Sequence, residues 1–331
     1  VLSYTWQSLN FGQLLAESLL CRILLKGGHK PVNKRMTIRR LATFFFLFSG
    51  AAIAVHAQSS PSPAGNERGF VFYESFEGDS NSDGQVMILS SSATYHFNQH
   101  FSAGVGIPIY FDHANSSTTG ASSASGIGNV FATVRAVWKS PFLNYGTALT
   151  GTAPTGDSKK GLSTGHATFD WDNRVNHDFG VLTPFVDLGA GNSIMDTRYF
   201  LRPFSSYGYL AHFEAGTDVD LTHALSLTLS GYDIAPWGTQ TVISRVVAAG
   251  APGKSGSVTH GRAFENSHLT TGTSSLTNDD GFNAGLSFSP KPYLDLDLGY
   301  TRSVRYALNS VSFGVGVNLS SLFGKNNQSG K

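Results

Sequence analysis

Between residues 69 and 321 the chain alternates apolar with small or polar residues twelve times, and the connections between these runs alternate short and long along its length. The runs are 69–77, 85–97, 101–111, 127–139, 142–153, 165–177, 181–192, 207–220, 224–233, 281–289, 293–303 and 309–321. A period of two puts successive side chains on opposite faces of a strand. In the last run Val311, Phe313, Val315, Val317 and Leu319 share one face, and Ser310, Ser312, Gly314, Gly316 and Asn318 the other. The third sets Phe101, Val105, Ile107, Ile109 and Phe111 against Ser102, Gly104, Gly106 and Pro108. The runs have the length of tilted strands that cross a bilayer, about 9–11 residues.

A soluble β-sandwich alternates in the same way, so the connections decide between the two. Short links at 98–100, 140–141, 178–180, 221–223 and 290–292 interleave with longer ones at 78–84, 112–126, 154–164, 193–206, 234–280 and 304–308. Tight turns at one end, longer loops at the other and an even strand number are the marks of an outer-membrane barrel. Closure leaves no unpaired strand edge facing lipid. The expected fold is therefore all-β: a transmembrane antiparallel up-and-down β-barrel of about 12 strands over residues 69–323, with a tail at 324–331. Composition agrees. Charged residues make up 14% of the chain, against about 25% in a soluble domain. With 24 Phe, 12 Tyr and 37 Gly it has neither the composition of a disordered chain nor that of a coiled coil.

The segment before the barrel has a different character. From Met36 the chain reads Met-Thr-Ile-Arg-Arg, then an apolar run from Leu41 to Val55, then His56-Ala57 before Gln58. A charged start, a short apolar stretch and a small-residue exit form a signal-peptide pattern over 36–57. Residues 1–35 are read as an upstream extension that is not translated, and 58–68 as a flexible periplasmic lead-in. Residues 1–57 hold seven of the 23 Lys and Arg and one of the 22 acids, so 58–331 carries 16 basic and 21 acidic residues, a net charge of −5. That balance gives no electrostatic case for binding nucleic acid. Cys21 is the only cysteine, so the barrel has no disulfide framework and no thiol chemistry.

Once parity assigns the lipid face, the inward face follows. It carries Asn129, Thr133, Arg135 and Lys139 on the fourth run, and His166, Thr168, Asp170, Asp172, Arg174 and Asn176 on the sixth. Asp187 follows on the seventh, His212, Glu214 and Asp218 on the eighth, and Asp295 and Asp297 on the eleventh. Two readings stand. An acid-rich lumen favours cations or neutral polar solutes. Alternatively, Arg135 and Arg174 are neutralised by Asp170, Asp172, Asp187 and Glu214 in a network that braces the wall. Twelve strands tilted near 40° enclose a backbone diameter of roughly 24 Å and a free lumen of roughly 12 Å. The connection 234–280 has the length either to cap that lumen or to stand above the membrane as an extended hairpin.

Catalytic and cofactor readings find little support. His100 and Ser102 have same-face spacing, but no orienting acid or amide accompanies them. His212 and Glu214 with His166 have no spacing that fixes a metal site. Gly126-Ile127-Gly128 opens no helix, so it does not form a phosphate cradle. No cofactor is expected.

Three local motifs are recognisable together. They are Gly126-Ile127-Gly128-Asn129, Pro154-Thr155-Gly156-Asp157 and Thr164-Gly165. In this the chain resembles the outer-membrane barrel family of transporters associated with the phenol-degradation (MetA) pathway, with Asn129 where that family usually has Asp. The resemblance implies transport of small molecules, aromatic or hydrophobic compounds among them. The same residues also suit turn chemistry, since Pro presets φ, Gly permits positive φ and Asp caps turns. The sequence is thus read as a monomeric outer-membrane barrel that passes small-molecule solutes by diffusion. Its expected partners are outer-membrane lipid and, during insertion, periplasmic chaperones and the barrel-assembly machinery. A non-conducting barrel acting through its loops and a lipid-modifying barrel enzyme are the alternatives.

Overall fold

The computed structural model describes residues 68–115, 120–121, 123–251 and 262–323. The expectations for 1–35, 36–57 and most of the lead-in, and for the tail 324–331, lie outside the described residues. In chain order the strands are β1 (Gly69–Ser80), β2 (Gly84–His96), β3 (Phe101–Ala114), β4 (Ser123–Ile127), β5 (Phe131–Lys139), β6 (Asn144–Thr152), β7 (Thr168–Asn176) and β8 (Leu182–Gly191). They continue with β9 (Phe204–Tyr207), β10 (Leu210–Thr222), β11 (Leu225–Pro236), β12 (Gln240–Ser244), β13 (Leu269–Gly272), β14 (Asp279–Lys291), β15 (Leu294–Ser303) and β16 (Leu308–Asn318). Two short helices, α1 (Ala263–Asn266) and α2 (Leu319–Phe323), complete the chain.

Twelve of these strands form one closed antiparallel barrel, in the order β1, β2, β3, β5, β6, β7, β8, β10, β11, β14, β15, β16. The β2–β3 and β1–β16 pairings complete the circle. Each of the twelve alternating runs corresponds to one barrel strand, with ends shifted by a few residues. Tight turns have local causes. The Asn98 side chain accepts hydrogen bonds from the backbone N–H groups of His100 and Phe101 (2.8 and 2.9 Å) between β2 and β3. Ser140 Oγ accepts from the Leu143 N–H at 3.0 Å between β5 and β6. Such side-chain caps turn the backbone without a longer loop.

Parity divides the wall as expected. Val105, Val134, Leu149, Trp171, Leu188, Leu298 and Val311 point outward and are exposed, an apolar area that suits lipid rather than water. Rings gather at the turn end of that band. Phe70, Tyr95 and Phe97 lie in contact, as do Phe101, Trp138 and Tyr145, with centroid separations of 4.8 to 5.9 Å. Tyr209 stacks on Trp237 at the loop end.

The fourth run departs from a single strand. Only its first residue, Ile127, is in β4, which otherwise occupies the expected connection 112–126, and its strand β5 begins at Phe131; both pair with β3, with a break at 128–130. The motif residues make that break. Thr155 Oγ1 accepts from the Val130 N–H (2.9 Å) and donates to the Gly128 carbonyl (2.8 Å). Asn129, expected on the inner face of a strand, instead accepts from the Gly156 N–H at 3.2 Å. A Cβ on Gly156 would lie 2.6 Å from the Leu162 carbonyl, and Gly126 has φ +156°. Glycine is required at both. Asp157 caps the short 3-10 turn Ser158–Lys160 by accepting from the Lys159 N–H, and Gly161 ends it at φ +77°. Gly165 also has positive φ, and Pro154 lies in the loop leading into this clasp.

The connections 193–206 and 234–280 were expected to be loops. They contain a small sheet in the order β13-β12-β9. Phe200, Phe204, Val242, Val246, Val247, Phe264 and Leu276 from these connections pack with Ala114, Leu210, Ile234 and Leu308 from the loop ends of barrel strands. An apolar core therefore lies within the loop end of the barrel, and of the two readings for 234–280 the inward-folded one holds for its described part.

Candidate functional site: the barrel lumen

Two charged walls and a crossing segment line the interior. On the first wall, β7, β8 and β10 run side by side, so their inward positions form a grid. Arg174 divides its guanidinium between Asp187 (2.9 Å) and Asp218 (3.0 Å) and lies over the Phe185 ring, 3.7 Å from its centroid. Thr228 Oγ1 donates to the other Asp218 oxygen at 2.6 Å. His212 meets Asp170 at 3.0 Å, and its ring rests on Gly189, where a Cβ would collide with it. Glu214 accepts from Ser230 and from the Asn283 side-chain amide.

The second wall is β14, β15, β16 and β1. Tyr73 donates to Asp295 at 2.6 Å, and Ser287 to Asp297 at 2.5 Å. Asp279 accepts from Ser303 and Tyr232.

Residues 194–203 cross between the walls. Arg198 reaches Asp297 at 3.3 Å, with both side chains 7% exposed. The Tyr199 ring lies on Gly285 and Gly299, and its carbonyl accepts from Thr301. Arg202 approaches Asp279 at 3.9 Å, and Leu201 packs on Val86 and Ile88 of β2. Arg245, just beyond β12, pairs with Asp196 at 2.9 Å and lies over the Tyr110 ring. Burial alone would lower the Arg245 pKa. Asp196, with Tyr110 and Asp112 beside it, raises it instead, so this cation stays charged. Near the loop end Arg262 pairs with Glu265, and Glu265 lies against Asp83. Burial first, and then that neighbouring acid, push the Glu265 carboxyl up to about 7, while Arg262 opposes the rise.

Ten of the eleven expected lumen residues occupy inward strand positions: Arg135, Asp170, Asp172, Arg174, Asp187, His212, Glu214, Asp218, Asp295 and Asp297. His166 does not. It precedes β7, is exposed at the loop end and stacks on Tyr207 at 4.5 Å, because the strand begins only at Thr168. Lys139 ends β5 and is exposed at the turn end. The expected bracing is present in altered form. Arg174 takes Asp187 and Asp218, Asp170 takes His212, and Glu214 takes neutral donors. Arg198, Arg202 and Arg245 were not anticipated from sequence. Their signal was the apolar content of the connections, Tyr199-Phe200-Leu201 and Val246-Val247 beside arginines, which a solvated loop does not need.

The catalytic candidates do not assemble. The His100 ring bonds to the Val137 carbonyl and to Gln99, while Ser102 points into the barrel on β3. Among the described residues no group of three or more His, Cys, Asp or Glu could hold a metal ion.

The fold is that of outer-membrane β-barrels. An outer membrane channel from Pseudomonas putida F1 aligns with a TM-score of 0.50 at 10% identity, over 80% of this chain and all of that one. NanC porin gives 0.43 at 8% identity, over 74% and 98%. KdgM porin in complex with disordered oligogalacturonate gives 0.42 at 10% identity, over 74% and 98%. No family model matches the chain. No curated protein matches it either.

Proposed function

We propose that this chain is a bacterial outer-membrane channel for small molecules. Its turn end faces the periplasm, and the inward-folded connections restrict its extracellular half. The observation that carries the reading is the interior itself. An apolar band surrounds the outside while acids and bases line the inside, and the segment across the lumen is held by ion pairs and hydrogen bonds rather than by strand pairing. Displacing the segment breaks buried ion pairs and side-chain contacts but leaves the strand ladder of the barrel paired. The acids of β7, β8, β10 and β15 favour cations and neutral polar solutes. The aromatic or hydrophobic solutes implied by the MetA resemblance rest on the three motifs, which in this fold form a clasp at the loop end. The barrel acts as a passage and uses no catalytic group or cofactor.

The lumen core favours a second reading, a plugged barrel that works through its outer surface. Single-channel recording of the purified protein in a planar bilayer under a salt gradient separates the two. A channel gives small, cation-preferring conductance that loses its preference in Asp170→Asn/Asp172→Asn. Silence in the wild type and also in variants that loosen 194–203 refutes the channel.

A further inference from the structure

Asp112 faces inward near the loop end of β3, in register with Val86 of β2 and Ala124 of β4, and is 3% exposed. Among the described residues neither of its carboxylate oxygens has a hydrogen-bond partner. A buried carboxylate in that position is costly unless a cation is at hand. The cation whose charge acts on it is Arg245, which lies over the ring of Tyr110, two residues along β3 on the same inward face. Arg245 Nη2 donates to Asp196 at 2.9 Å and Nη1 to the Arg202 carbonyl at 2.6 Å. Its Nε, like the Asp112 oxygens, has no partner among the described residues.

Both partners of the guanidinium belong to the crossing segment, but Arg245 does not. Val246 and Val247, 0% and 2% exposed, hold the chain beyond it in the apolar core. Its backbone N–H bonds to the Pro203 carbonyl at 2.9 Å, where the segment runs into β9. Withdrawal of the segment therefore takes away the counter-ion and leaves the guanidinium only the Ser205 hydroxyl at 3.4 Å. We propose that Asp112 is a second seat for Arg245. The guanidinium pairs with Asp196 while 194–203 crosses the lumen, and with Asp112 once that segment has left. The exchange rests on the channel reading, in which the segment moves, and supplies its gating step. Asp112 stays on the barrel wall and the Arg245 backbone stays in the core, so only side-chain bonds turn. The planar fork then meets both oxygens of one carboxylate. One ion pair at Arg245 is kept in both arrangements, and no buried cation is stranded.

The test times a water-soluble maleimide on Leu201→Cys in a Cys21→Ser background, using the folded barrel. Labelling reports undocking of the segment whether or not ions flow. Asp112→Asn slows it roughly tenfold, because the undocked arrangement loses its ion pair and the docked one loses no contact. Asp112→Glu labels at about the parent rate, and Asp196→Asn labels roughly tenfold faster, since there the docked arrangement loses its pair. The heat-modifiable folded band persists in Asp112→Asn, with a melting temperature unchanged or raised. A carboxylate that merely braced the docked segment gives the opposite signs in Asp112→Asn, faster labelling and a lower melting temperature. Either of these, loss of the folded band, a slowing of less than about fivefold, or no labelling in parent and Asp196→Asn alike overturns the exchange. Single-channel current is read separately, and slowed labelling with no current in any variant supports the exchange while refuting the channel.

Discussion

Replacing Arg198 with alanine tests whether the crossing segment is held by its ion pairs. The guanidinium lies 3.3 Å from Asp297, both side chains are 7% exposed, and Arg198 also bonds to the Tyr199 hydroxyl. Removing one partner of a buried pair costs about 3–5 kcal/mol. Asp297 keeps the Ser287 hydroxyl at 2.5 Å, which argues for the lower end, about 3 kcal/mol. At about 1.4 kcal/mol per tenfold, the undocked fraction of 194–203 rises roughly 100-fold. A cysteine at Leu201, which is 1% exposed, reads this directly in a Cys21→Ser background. Its reaction with a water-soluble maleimide accelerates by that factor in Arg198→Ala, and single-channel openings become correspondingly more frequent. Arg198→Ala/Asp297→Asn, which removes both charges, recovers at least fivefold of the loss, the pairwise coupling of a double-mutant cycle. Labelling within threefold of the parent, with unchanged conductance, refutes the reasoning.

Further outcomes follow from other contacts. Gly285→Val puts a Cβ where the Tyr199 ring now lies, 2.2 Å from Cζ, so conductance rises, and the added Tyr199→Ala restores barrel stability without closing the path. Arg174→Ala leaves Asp187 and Asp218 facing each other and destabilises the barrel by about 3 kcal/mol in urea unfolding. Arg174→Lys recovers only part, because an ammonium cannot form the fork. Glu265 titrates near 7 when folded, above the ordinary 4.5 of a free glutamate. Its contribution to stability is therefore complete below pH 4.5, declines as pH rises, and is lost above about 7. Melting temperatures measured from pH 5 to 8 fall less steeply in Glu265→Gln, and identical slopes count against this account.

The barrel was legible because alternation is a property of each strand by itself. Val311, Phe313, Val315 and Val317 state both the strand and its lipid face without reference to any neighbour, and the turn chemistry of Asn98 or Ser140 is equally local. The same rule placed Asp170, Arg174 and Asp218 inside. It failed at His166 and Asn129, where the clasp of Thr155, Gly156 and Gly128 ends pairing before alternation does. It was silent on β9, β12 and β13, which have only four or five residues each, too few to show a period. Arg198, Arg202 and Arg245 act through distant strands, so no local pattern could assign their partners.

The crossing segment has a mechanical consequence. Most neighbouring barrel strands follow one another along the chain, but β1 and β16 stand at its opposite ends and meet only in space. Residues 198–201 span that seam. Arg198 holds β15 on one side and Leu201 packs on β2 on the other. The segment is in effect a staple driven from within across the joint where the first and last hairpins close the circle. Whatever draws it out also removes the fastening from the one joint with no covalent hinge.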